Sequence, residues 1–92
     1  MLRRPRYSNE EFARRGEEIY ERSVRPQTGP GDRGKYVLID IETGAFEIDA
    51  DELSASDRLR ARVPDAQPWL RRVGSPFARR FATRRRAAFR QS

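Results

Sequence analysis

Two short runs of strand-forming residues, Tyr36 to Ile41 and Ala45 to Asp49, flank Glu42-Thr43-Gly44, and this spacing predicts a β-hairpin. Gly44 supplies the left-handed position that such a turn requires. Side chains alternate along a strand, so Val37, Ile39 and Ile41 share one face while Tyr36, Leu38, Asp40 and Glu42 share the other. The first face is the one expected to lie under helices.

What flanks the hairpin decides the fold class. Ser8 precedes Asn9-Glu10-Glu11-Phe12 with the spacing of a capping box, and Tyr7 is placed to pack on Phe12, so a helix is expected from Asn9 to about Ser23. Phe12, Ile19, Tyr20 and Val24 form its apolar stripe, leaving Arg14, Glu17, Glu18, Glu21 and Arg22 for solvent. Residues 25–34 collect two prolines and three glycines and read as a loop. After the hairpin, Asp49 caps a second helix from Ala50 to about Val63, with Leu53, Ser56, Leu59 and Val63 on its apolar arc and Arg58, Arg60 and Arg62 toward its negative end. Pro64 stops it.

Trp69 to Val73, bounded by Pro68 and Gly74, reads as a third strand, placed at an edge because Pro68 has no N–H for a ladder. Residues 78–83 are expected to form a fourth strand, with a basic helix as the alternative. The sum is an α+β domain: a small antiparallel sheet in the order α-β-β-α-β, then the fourth strand, with two helices. It occupies residues 8–83, between a basic arm at 1–7 and an Arg-rich, disordered tail at 84–92.

Composition limits what such a domain can do. With 92 residues, 36% hydrophobic and 37% charged, the core is small. The absence of cysteine and histidine removes disulfides, thiol nucleophiles, Cys/His zinc sites and imidazole catalysis. No apolar run approaches the roughly 18 residues that span a bilayer, and the first residues lack a secretory core, so a cytoplasmic protein without membrane contact is expected. The net charge of +6 is segregated: residues 7–70 hold all fourteen acids, whereas residues 71–92 hold eight arginines and no acid. Such ends often touch nucleic acid or an acidic partner.

The segment Val37 to Gly44, VLIDIETG, resembles the first metal-binding motif of the DEDD exonucleases, in which two carboxylates hold catalytic metal ions. In a strand, Asp40 and Glu42 would stand about 6–7 Å apart, which makes them weak candidates for a shared cation. Two-metal phosphoryl chemistry needs further carboxylates, and the fold that the resemblance implies needs a larger sheet than this chain supplies. The alternative places Asp40 on the less buried face, opposite Arg71 or Arg72, in an exposed pair of roughly 0.2–1 kcal/mol.

A wider resemblance runs over residues 12–82. Arg15 to Tyr20, Gly34 to Asp49, Asp51-Glu52-Leu53, Arg58-Leu59, Pro64-Asp65-Ala66 and Arg72-Val73-Gly74 are similar to a family of small bacterial proteins. That resemblance implies the smaller partner of a two-gene arrangement, antitoxin-like, without assigned catalytic residues.

Two functions are therefore weighed. In the first, the chain is a non-catalytic interaction module without a cofactor, binding a protein partner or another copy of itself through an exposed sheet edge. Trp69, Tyr36 and Leu38 would offer the apolar contact. In the second, Arg71, Arg72, Arg79, Arg80, Arg84, Arg85 and Arg86 bind nucleic acid, with Phe77, Phe81 and Phe89 stacking on bases.

Overall fold

The computed structural model describes residues 7–81. It is an α+β domain: α1 (Asn9–Ile19), β1 (Tyr36–Asp40), β2 (Phe46–Asp49), α2 (Glu52–Arg62), β3 (Pro68–Arg72) and β4 (Ala78–Arg80). The four strands form one antiparallel sheet in the order β2-β1-β3-β4. The expected tail from Arg84, and most of the expected N-terminal arm, lie outside the described residues.

Helix α1 starts where its sequence says. The Ser8 hydroxyl oxygen accepts the Glu11 N–H at 3.1 Å, which satisfies one of the first-turn donors. The helix then continues past Ile19 as one wide π-helical turn, Tyr20–Val24, and a 3-10 turn, Arg25–Gln27. The wide turn has a physical reason. In a uniform α-helix Val24 would sit about 120° round from Phe12; the wider turn carries it back, and Phe12, Ile19, Tyr20 and Val24 all enter one cluster.

The connection from β2 to β3 crosses β1, and α2 makes that crossing over the face that carries Leu38. Both faces of the sheet are consequently covered. Val37, Ile39, Ile41, Trp69 and Val73 pack with α1, and Leu38 and Leu70 pack with Ala55 and Leu59 of α2. This corrects the expectation that one face of the hairpin stays open. It also explains why Val37 to Asp40 are buried without interruption, as in a central strand layered on both sides.

Three further expectations change. Strand β3 lies inside the sheet between β1 and β4, with Pro68 at its first position opposite Asp40, where a missing N–H costs the ladder little. The α2 cap is Asp51, whose carboxylate accepts the Ser54 N–H at 3.0 Å and its hydroxyl at 2.8 Å. The helix therefore starts two residues later than expected. Ser56 and Leu59 face inward as expected, joined by Ala55, while Leu53 is 45% exposed. The 25–34 loop contains a second 3-10 turn at Pro30–Asp32 and hands the chain to β1 through Gly34, at φ +88°.

Candidate functional site

Asp40 is a structural carboxylate. It is 1% exposed, and β1 ends on it, so Glu42 lies in the turn and not beside it on a strand. Its Oδ1 accepts the N–H groups of Gln67 at 2.8 Å and Glu42 at 3.4 Å. Its Oδ2 accepts the N–H and hydroxyl of Thr43 at 3.1 and 2.7 Å. The expected pair with Arg71 or Arg72 does not form, because the register sets Asp40 opposite Pro68 while those arginines face Val37 and Tyr36. Glu42 lines a shallow cleft between α1 and the turn, with Arg15, Glu18 and Arg22. Among the described residues no three carboxylates converge on one point.

Two of the three side chains expected to meet a partner belong to the core. Leu38 is fully buried under α2, and Trp69, 7% exposed, lies on the opposite face from Leu38, between Phe12 and the backbone of Gly16. The Trp69 indole N–H donates to Glu17 Oε2 at 3.0 Å, and Arg71 Nε donates to the same oxygen at 2.8 Å. Glu17, expected in solvent, is thus a part-buried acceptor shared by two donors. Tyr36 is half-buried, with the Arg72 guanidinium 5.3 Å from its ring centre.

The arginines are held in place one by one. Arg71 sits 4.0 Å over the Tyr20 ring and donates to the carbonyls of Arg72 and Ser75. Arg72 donates to the Gly34 carbonyl at 3.1 Å. Arg79 reaches Glu52 at 3.7 Å and stands over Phe81, while Arg80 donates to Asn9 at 2.6 Å and lies 4.5 Å over Phe12. Arg84, Arg85 and Arg86 lie outside the described residues.

The two sheet edges differ in a way that sequence reasoning missed. On β2, the pairing with β1 turns the carbonyls of Phe46 and Ile48 outward. Both are occupied: Arg62 donates to Phe46 and Arg58 to Ile48, each at 2.9 Å. Arg58 also binds Glu47 at 2.9 Å and Asp49 at 2.8 Å, and Arg62 binds Glu47 at 3.0 Å. The available signal was the i, i+4 spacing of Arg58 and Arg62 on one helix face, matched by acids at alternate positions of β2.

On β4, the Phe81 N–H goes to the Pro68 carbonyl and the Phe77 carbonyl accepts from Arg72, so Arg79 faces β3 and the peptide groups of Ala78 and Arg80 point outward. Among the described residues, their one partner is the neighbouring Arg79 Nη1, at 3.4 Å from the Arg80 carbonyl. Phe77, at the start of this edge, is 42% exposed; Leu53 lies next to Glu52, the residue that reaches Arg79. These are the two large exposed hydrophobics among the described residues.

No family model matches the chain, and no solved structure matches it. The chain is similar to a malto-oligosyltrehalose trehalohydrolase of Rhizobium sp. (strain M-11), with 35% identity over 71 residues. The match covers 72% of this chain and 12% of that enzyme, so the chain spans about one-eighth of its length. No helix among the described residues is long and apolar enough to cross a membrane.

Two outcomes follow from the guarded edge. The double variant R58A/R62A is expected to stay folded but to self-associate in a concentration-dependent way, because it bares the β2 carbonyls; sedimentation velocity measures this. Second, the hydrogen bonds from Arg58 and from the Asp51 N–H hold the Asp49 carboxyl below its ordinary range. The Gly29 N–H and then Lys35 do the same for Asp32. A lowered folded value means that the unfolded chain takes up the proton first as pH falls. The stabilisation is therefore complete above the ordinary carboxylate range and is lost as pH drops through the folded value. Asp49→Asn should accordingly flatten the acid limb of the stability curve below about pH 4, as read by urea unfolding across pH.

Proposed function

We propose that this chain is a non-catalytic protein-interaction module, antitoxin-like in the sense of the family it resembles, which takes a partner segment alongside β4. The observation that carries this reading is the contrast between edges: arginines occupy the outward carbonyls of β2, and the outward peptide groups of Ala78 and Arg80 have no comparable cover among the described residues. Strand addition needs such a row of unpaired main-chain groups, and natural sheets usually block the rows they do not use. Trp69 and Leu38 do not take part, being core residues. The apolar contribution comes from Phe77 instead, exposed at the start of that edge.

The match to a trehalohydrolase touches 12% of that enzyme and bears neither for nor against a catalytic role. Its activity is not carried over. A photoreactive side chain placed at position 80, and in a second protein at position 48, tests the reading in the native host. A stoichiometric protein adduct from position 80 and none from position 48 is expected; equal labelling, or no adduct and a monomer in solution, would overturn it. Duplex DNA binding whose log K falls with log salt at a slope near −5, for about six neutralised phosphates, would favour the nucleic-acid reading instead.

A further inference from the structure

We infer that the segment docking on β4 is extended and carries two adjacent acidic residues, with a large apolar residue two positions from one of them. This rests on the edge reading above and adds the chemistry of the partner. Side chains alternate along β4, so Arg79 projects on the α2 face, together with Phe77 and Phe81, and Arg80 projects on the α1 face with Ala78. A strand laid beside β4 places consecutive side chains next to Arg80 and Arg79, one on each face, and a third beside Phe77. In antiparallel pairing the order along the partner is acid, acid, any residue, apolar.

Among the described residues, neither guanidinium is closed in a short ion pair. Arg79 is half-exposed and its contact with Glu52, itself part-exposed, is long at 3.7 Å. Arg80 is exposed, and its side-chain hydrogen-bond partner among the described residues is the neutral side-chain oxygen of Asn9. Acidic side chains directly across from them gain cross-strand pairing, whereas like charges there are destabilising. A second copy of this chain is disfavoured for that reason. Two β4 edges fully overlapped in antiparallel pairing would set Arg79 directly against Arg79 of the other copy, with Arg80 opposite Ala78. The sequence beyond β4 offers no relief, since residues 71–92 contain no acid.

The test uses the full chain and a short synthetic peptide of strand-forming residues built around a Glu-Glu pair, with valine two positions beyond the second Glu. Peptides with Gln-Gln and Lys-Lys at the pair serve as controls. Backbone amide shifts at Ala78 and Arg80 report where each binds, and titration reports how tightly. The Glu-Glu peptide is expected to perturb those amides and to bind about tenfold more tightly than the Gln-Gln peptide. That preference should shrink at high salt in the unmodified protein and disappear in R79Q/R80Q. Equal binding of the Glu-Glu and Gln-Gln peptides at these amides would overturn the acidic partner and leave the edge reading standing. Tighter binding of the Lys-Lys peptide, or self-association of the free chain that protects Ala78 and Arg80, would also overturn it. If no peptide perturbs these amides, the edge reading fails as well.

Discussion

Gly16→Ala is expected to destabilise the domain by about 2 kcal/mol or more, although in an open helix the same change stabilises by about 1 kcal/mol. A methyl group at position 16 would lie 2.2 Å from Trp69 Cδ1 and 2.3 Å from Cγ. The near atoms belong to the root of the indole, which cannot swing aside without moving β3. Trp69 is paired there with Ile39 of β1 and Arg80 of β4, its ring centre 6.2 Å from that of Phe12, and its N–H is bound to Glu17. Relief therefore means pushing α1 off the sheet or turning the indole out of it. Urea unfolding gives the loss, and a red shift of the single tryptophan's emission gives its cause. In the Trp69→Ala background the same substitution should cost much less, because the two positions are coupled through one contact. A domain of this size has a few kcal/mol to lose, so the single variant is expected to be unfolded in part at physiological temperature.

Asp40→Asn should cost nearly as much as Asp40→Ala, about 3 kcal/mol, despite matching the carboxylate in shape. Each carboxylate oxygen of Asp40 accepts two donors: N–H groups from Gln67 and Glu42 on one, the N–H and hydroxyl of Thr43 on the other. An asparagine amide, whichever way it is turned, sets its own N–H groups against one of those pairs. Buried donors left without an acceptor cost about 1–3 kcal/mol each. Hydrogen exchange should locate the damage at Thr43 and Gln67, where the hairpin turn is tied to the start of β3. If Asp40 served as a cation ligand and not as a pin, Asp40→Asn would leave stability unchanged and alter the response to divalent metal.

How far the sequence speaks depends on how local the cause is. The Ser8 cap, the hairpin with Gly44 at φ +85° and the four-strand, two-helix content follow from neighbours within a few residues, and all are found. The placement of β3 is different. Pro68 suggests an edge on its own account, but the crossing of α2 over β1 brings β3 beside β1 and leaves β4 to form the edge. That crossing also buries Leu38 and, with α1 on the other face, leaves no uncovered face for Trp69. The burial of Asp40 is not legible from alternation, which assigns a side chain to a face without saying how deep that face lies. Gly16 was a legible anomaly, a glycine inside a strong helix pattern, whose reason is a tryptophan over fifty residues further along. The Arg58 and Arg62 guard on β2 needed both the helix phase and the strand register to be seen together.

If β4 is the edge open for pairing, amide hydrogen exchange in the full chain shows it residue by residue. In the free protein the N–H groups of Ala78 and Arg80 are predicted to exchange quickly while that of Arg79 is protected. Adding the Glu-Glu peptide should slow Ala78 and Arg80 and leave Phe46 and Ile48 as they were. Slow exchange at Ala78 and Arg80 in the free monomer, or slowing confined to Phe46 and Ile48 on addition of the peptide, would contradict it.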